Sequence, residues 1–201
     1  MKVVIIAGGK GTRIASLNSE IPKAMIPING KPVLEYQIEL AKRYGHTDIF
    51  LVIGYLGDKI RSYFGNGESF GVQIKYFEEH SPLGTAGALA ELRNVLTEDF
   101  FLFYGDTVMD VALDKMYAFH TIQQADATLF LHPNDHPYDS DLVEIDKKGV
   151  IIGFHSKPHP KNFLYRNLVN AALYILSPRL LLHIPQGIKS CLLYTSPSPR
   201  D

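Results

Sequence analysis

A single cysteine, Cys191, stands in 201 residues, so no intrachain disulfide and no cysteine-based zinc site can form. Charge of one sign is just as scarce: 20 lysines and arginines face 21 acidic residues, for a net charge of −1. That balance leaves no electrostatic footprint for DNA, RNA or an anionic membrane surface. Long hydrophobic runs are missing too. No apolar stretch approaches the roughly 20 residues of a membrane span, and Val3-Val4-Ile5-Ile6-Ala7 is too short for a signal-peptide core before it meets glycines. The 11 tyrosines and 11 phenylalanines are scattered without basic interleaving, which argues against a nucleic-acid surface. What remains is a chain of one-domain length, 46% hydrophobic and 20% charged, able to bury an ample core. These bounds imply a cytoplasmic protein that handles small molecules, with no nucleic-acid or membrane partner.

Apolar runs alternate with segments of helical period, the pattern of an α/β fold on a mostly parallel sheet. Residues 3–7 read as a buried first strand, β-branched and continuous. Pro32 can start a helix carrying Leu34, Ile38 and Ala41 on one face and stopping at Gly45. Residues 48–53 read as a buried strand, 59–64 as a short helix ended by Gly65, and 72–77 as another strand. A helix is expected over 85–95, a strand over 100–104 stopping at Gly105-Asp106, a helix over 113–124 and a strand over 127–131. Beyond this point 142–145, 150–154 and 168–176 read as strands joined by turns. Residues 1–190 are taken as one domain that stops mid-fold, so the chain reads as truncated at its C-terminus. Residues 191–201 match neither period and read as a non-native remnant or a disordered tail.

The first chemical signal is Ala7-Gly8-Gly9-Lys10-Gly11-Thr12-Arg13, directly after the first strand. Glycines let backbone approach a ligand closely, and successive N–H groups in such a turn form an anion-binding nest. Arg13 adds a forked donor suited to phosphate oxygens. No Gly-Lys-Ser/Thr closes the loop, so it is not a Walker A motif. Ile14 stands where a dinucleotide fingerprint starting at Gly9 and Gly11 needs glycine or alanine. On its own this turn is equally a tight strand-to-loop connection without ligand. The second signal, Ile21-Pro22-Lys23, places a lysine a short loop downstream; alone, it is an ordinary exposed loop lysine.

Gly8-Gly9-Lys10-Gly11-Thr12-Arg13 followed by Pro22-Lys23 resembles the signature of the sugar-1-phosphate nucleotidyltransferases. Pro82-Leu83-Gly84-Thr85-Ala86-Gly87-Ala88 is similar to that family's nucleoside-binding segment, and Tyr104-Gly105-Asp106 to its metal-binding strand end. The likeness runs from Met1 to about Ser190. It implies a Rossmann-like, mostly parallel mixed sheet of the nucleotide-diphospho-sugar transferase type. It also implies an enzyme joining a nucleoside monophosphate to a sugar 1-phosphate with release of pyrophosphate. The Gly-Thr-Ala-Gly wording resembles guanylyltransferases for mannose 1-phosphate or a manno-heptose 1-phosphate, and residues 132–142 look most like the heptose branch. GMP drawn from GTP is therefore the expected group.

The resemblance also implies roles. Gly8, Gly9, Gly11 and Thr12 would cradle the triphosphate, and Arg13 would neutralise the departing β,γ-phosphates. Lys23 would hold the α-phosphate against the incoming sugar phosphate, and Asp106 would bind Mg²⁺, a hard cation that takes carboxylate and phosphate oxygens. Thr85 and Gly87 would contact the nucleoside, although Thr85 before an apolar helix also reads as a plain N-cap. Lys157 would face the sugar phosphate and Asn170 the sugar hydroxyls, Asn170 being equally readable as an edge-facing polar residue. The chain departs from the family where Ser156 replaces a glutamate and where Asp139-Ser140-Asp141 replaces a glycine. Both departures argue against a glucose-type sugar. The family's second metal-binding aspartate has no counterpart before Asp201, so this chain is expected to turn over little. A metal cage from His132, Asp135, His136, Asp139 and Asp141 is disfavoured by irregular spacing and intervening prolines. Two other readings stay open: a non-catalytic sugar-nucleotide-binding or regulatory relative, and, less favoured, a dinucleotide-binding domain. A homo-oligomer also stays open.

Overall fold

The computed structural model describes residues 1–9, 20–135, 140–159 and 166–192. The chain forms two compact units, the first from Met1–Thr128 together with the chain from Ile175 onward, the second from Leu129–Tyr174.

In the first unit the strands are β1 (Val3–Ile6), β4 (Asp48–Ile53), β5 (Gln73–Glu78) and β6 (Phe100–Tyr104). Their order is β5-β4-β1-β6, all parallel. β1 sits between two partners, Val3 pairing with Ile49 on one side and with Phe101 on the other. A strand buried on both faces gains from a continuous apolar run rather than an alternating one, and Val3, Val4, Ile5, Phe101, Leu102 and Phe103 are all fully buried. A short hairpin, β2 (Pro27–Ile28) with β3 (Lys31–Pro32), precedes the first helix.

Among the described residues, four helices belong to this unit. They are α1 (Val33–Arg43), α2 (Gly57–Phe64), α3 (Gly84–Glu91) and α4 (Leu113–Gln123). Pro32 stands at the N-cap of α1, and Gly45 at φ +77° ends the turn that follows it. The expected helix over 85–95 is shorter than its apolar pattern. It stops at Glu91, and Val95 and Leu96 fold back as turns on the Leu92 carbonyl, each at 3.0 Å. Val95 is exposed, so nothing packs on this β-branched side chain to hold another helical turn. His120 of α4 is 2% exposed, with Nδ1 2.8 Å from the Thr128 hydroxyl and Nε2 3.4 Å from Asp99.

The second unit is antiparallel where its registers are set. β8 (Leu142–Ile145) pairs with β9 (Ile151–His155) through a bulge at Glu144/Ile145, and β10 (Leu168–Leu176) pairs with β8. β7 (Ala127–Pro133), two residues longer than its apolar run suggests, also pairs with β10.

Phe103→Ala is expected to cost about 3–5 kcal/mol, because a large ring leaves a fully buried central strand. Urea denaturation checks it; a loss under about 1 kcal/mol would show that the core does not centre on β6.

Candidate active site

Parallel pairing brings the C-terminal ends of β1, β4, β5 and β6 to one edge of the first unit's sheet. The chain steps from β1 to β4 to β5, then returns to the opposite flank of β1 with β6. Strand order thus reverses between β1 and β6, and open α/β sheets bind ligands in the crevice at such a switch point. Gly8-Gly9 follows β1 on one lip, and Gly105-Asp106 follows β6 on the other.

The glycines there serve different ends. A Cβ on Gly8 would lie 2.9 Å from Glu79 Oε2 and 3.1 Å from the backbone of Ile53 and Gly54. Gly8 is thus a packing requirement of converging strand ends. A Cβ on Gly9 would meet nothing within 4 Å among the described residues, so none of these demands a glycine there. Gly105 donates its N–H to the Ile6 carbonyl at 2.8 Å, and a Cβ there would crowd the same oxygen at 3.0 Å. Gly11, Thr12 and Arg13 lie outside the described residues, as do His136 and Asp139 of the disfavoured metal cage.

Pro22 (φ −56°, ψ 142°) leads the chain into a 3₁₀ turn, Lys23–Met25. From its start the Lys23 ammonium pairs with the Asp106 carboxylate, two residues 83 apart in sequence. The side chains are 37% and 34% exposed, and a pair so open to water adds at most about 1 kcal/mol of stability. Its significance is chemical. A cation and a carboxylate stand together at the C-terminal end of β6, next to the switch point. Among the described residues no three His, Cys, Asp or Glu side chains gather as a metal cluster. One hard carboxylate fits a divalent cation shared with phosphate oxygens of a substrate; it does not make an all-protein cage.

The segment that resembles a nucleoside-binding loop starts α3. Thr85 is not its N-cap; Leu83 holds that place without a side-chain cap. Thr85 Oγ1 instead accepts from the Leu192 N–H at 3.1 Å. The Ala86 and Gly87 N–H groups donate to the Ser190 carbonyl at 3.1 and 3.4 Å, and a Cβ on Gly87 would lie 2.7 Å from the Ile188 carbonyl.

Within the second unit, the Lys157 N–H donates to Asp141 Oδ1 at 3.1 Å, and His159 Nε2 donates to the Ser140 carbonyl at 2.7 Å. The Ser140-Asp141 loop and the Ser156-Lys157 turn are thereby joined. Asn170 donates to the Tyr174 hydroxyl and accepts from the Ala172 N–H at 3.1 Å. Ala172 lies at φ +58°, and the asparagine side chain satisfies the backbone at that irregularity.

One residue at this edge carried no sequence signal beyond standing three before Pro82. Glu79, half-buried at the end of β5, accepts the Leu83 N–H at 3.0 Å and presses its other oxygen toward Gly8. Burial pushes its carboxyl above the ordinary value, and the Leu83 bond offsets this only in part.

The nucleotidyl transferase family model matches residues 2–191. The chain belongs to this family. It is 34% identical to UTP–glucose-1-phosphate uridylyltransferase of Synechocystis over 93% of its length, but it spans only about half (52%) of that relative. It is 33% identical to D-glycero-alpha-D-manno-heptose 1-phosphate guanylyltransferase of Campylobacter jejuni, covering 88% of this chain and 76% of that protein. The solved structure of HddC from Yersinia pseudotuberculosis complexed with GMP-PN matches with a TM-score of 0.80 at 25% identity, over 100% of this chain and 85% of that one. The mixed, mostly parallel sheet and helices are those of the family's nucleotide-diphospho-sugar transferase fold.

Glu79→Gln should raise the melting temperature near neutral pH, because the folded state then no longer holds a desolvated charge. With the folded pKa raised, stability from the protonated form is full below the unfolded pKa of about 4.3 and fades as pH rises through the folded value. The gap between variant and wild type should therefore close below about pH 4. A gap that stays constant with pH would show that Glu79 costs the fold nothing when ionised.

Proposed function

We propose that this chain carries the catalytic machinery of a sugar-1-phosphate nucleotidyltransferase that transfers GMP from GTP to a manno-heptose or mannose 1-phosphate. The observation that carries this reading is the Lys23–Asp106 pair at the switch point between β1 and β6. A sugar-phosphate oxygen forms a bond to the α-phosphorus as the bond to the leaving pyrophosphate breaks. No covalent nucleophile is needed, so the chain must supply position and charge compensation. Lys23 lies where it can bring two anions together that otherwise repel. The Gly8, Gly9, Gly11 and Thr12 backbone would face the triphosphate, and no described residue crowds Gly9. Arg13 would meet the charge that grows on pyrophosphate, and Thr85 and Gly87 would contact the nucleoside. Lys157, with Asn170 on the same unit, would serve the sugar phosphate and its hydroxyls. Asp106 would hold Mg²⁺, whose chemistry when bound is to neutralise phosphate oxygens.

Support for guanine over other bases comes from the Gly84-Thr85-Ala86-Gly87 wording, and from the heptose guanylyltransferase name and the GMP-PN complex among the relatives. A uridylyltransferase at 34% identity stands beside them, so the base is read directly by experiment. Pyrophosphate release from the purified protein is measured across four nucleoside triphosphates and a panel of sugar 1-phosphates. Release fastest with GTP and a manno-configured sugar supports the reading; release with UTP or TTP alone overturns the base. Nucleotide binding without release from any pair would favour a regulatory binder.

Two substitutions test the roles. Asp106→Asn keeps size but loses charge, and should cut turnover about a hundredfold or more while raising the Mg²⁺ requirement. Unchanged Mg²⁺ dependence would remove Asp106 from the metal. Arg13→Ala should lower kcat far more than it raises KM for the triphosphate, since its partner charge develops in the transition state. Equal losses in both would assign Arg13 to ground-state binding.

A further inference from the structure

The α1 helix buries one polar side chain among its apolar ones. Gln37 is 1% exposed, on the stripe shared with Leu34, Ile38 and Ala41. Its Nε2 donates to the Tyr104 carbonyl at 2.5 Å and to the Thr107 carbonyl at 2.5 Å, with the Thr107 hydroxyl at 3.2 Å. These two carbonyls bracket Gly105-Asp106. The same four residues close a turn through Thr107 N–H to Tyr104 O at 3.3 Å, and the Thr107 hydroxyl adds a bond to that oxygen at 3.0 Å. Both amide hydrogens of Gln37 are thus committed to the turn that presents Asp106. The opposite end, Gln37 Oε1, is buried with no hydrogen-bond partner among the described residues.

An amide has two ends, and this asymmetry fixes which is which. Turning it over would put Oε1 against two carbonyl oxygens, acceptor facing acceptor. A buried acceptor without a partner is a net cost that leucine or methionine at 37 would avoid. The donor end must return more than that cost, and what it touches is the backbone around Asp106.

We propose that Gln37 is a positioning residue for Asp106: its side-chain amide clamps the two carbonyls flanking the carboxylate and fixes the direction in which that carboxylate meets a divalent cation. This rests on the reading of Asp106 as a metal-binding carboxylate. Gln37 itself touches neither metal nor substrate. The clamp is needed because Asp106 is half-exposed and is otherwise steadied by Lys23, a long flexible side chain. Lysine must leave the carboxylate when a metal takes its place, whereas the buried amide stays. How Asp106 meets a metal depends on where its carboxylate points, and outer partners of metal ligands commonly tune affinity about ten- to a hundredfold.

The test uses the full chain and the Gln37→Met variant, which keeps volume and removes both donors. Amide hydrogen exchange should speed up about tenfold at Gly105 and Thr107, the loss of roughly one net hydrogen bond, with β1 unchanged. Mn²⁺ binding to the GTP-loaded protein should weaken about tenfold, while GTP binding without metal stays within about twofold. Unchanged exchange in the turn overturns the clamp. Faster exchange with unaltered Mn²⁺ affinity overturns its role toward the metal, provided Asp106→Asn lowers that affinity. If Asp106→Asn leaves Mn²⁺ affinity unaltered, the reading of Asp106 fails separately, and exchange alone judges the clamp. Should Gln37→Met not fold, Gln37→Asn keeps the amide but is too short to span both carbonyls, and the same measurements apply.

Discussion

Everything at this site depends on the position of β1 between two parallel partners. With β4 on one flank and β6 on the other, β1 has no edge, and Val3, Val4 and Ile5 are closed off from water on both faces. Parallel strands need a crossover between them, so each pair of C-terminal ends is followed by a loop at the same edge. The ladder continues past β1 itself: Ala7 donates to the Val52 carbonyl and Gly105 to the Ile6 carbonyl, each at 2.8 Å. Strand ends held this closely leave no room for side chains where they converge, which explains Gly8, Gly54 and Gly105 without any ligand. A Cβ on Gly54 would lie 2.9 Å from Gly8 O. Gly9 differs, because no described residue demands a glycine there.

On that frame the charges sit where the frame is weakest in packing. Lys23 and Asp106 come from a 3₁₀ turn and a strand-end turn, both at the surface. Water screens the pair, so it adds little to folding. The same exposure leaves both groups accessible to a charged ligand. The rigid part lies beneath, in the buried amide of Gln37 and the backbone bonds of the Tyr104–Thr107 turn. The buried layer is held by several hydrogen bonds and the exposed pair by one, the division in which supporting shells commonly serve functional groups.

Much of the frame was legible in the sequence because burial on both faces writes itself as continuous β-branched and aromatic runs. Residues 48–53, 100–104, 142–145 and 168–176 are strands with the expected bounds. The short hairpin at Pro27–Pro32 and the 3₁₀ turns have no period long enough to read. Of the site, the family resemblance gives Lys23 and Asp106 separate roles, and their direct pairing, across 83 residues of sequence, is hidden from any local pattern. Gln37 had a signal that went unread, a polar residue in the apolar stripe of α1, three residues after Leu34. Glu79 had almost none, since its burial comes from Gly8 and Leu83, neither of which is its sequence neighbour. The roles of Thr85 and Asn170 were each readable two ways. The structure gives both side chains partners of their own chain.

The start of α3 shows why such partners matter for function. The first turn of any helix leaves N–H groups without internal acceptors, and α3 has no capping side chain to supply one. Here Glu79 takes the Leu83 N–H, and the Ser190 carbonyl takes those of Ala86 and Gly87. Gly84, at φ +70°, lets the chain turn in close to Ser190; a Cβ there would sit 2.5 Å from its carbonyl. The glycines of this segment are therefore already in use as a close backbone contact. Any ligand that draws on the same N–H groups gains only the difference between its own bonds and those it displaces, because a satisfied donor offers no unpaid desolvation. Lys23 and Asp106 are spent on each other in the same way, but through an ion pair open to water, which costs an incoming ligand less to displace than a set of backbone hydrogen bonds.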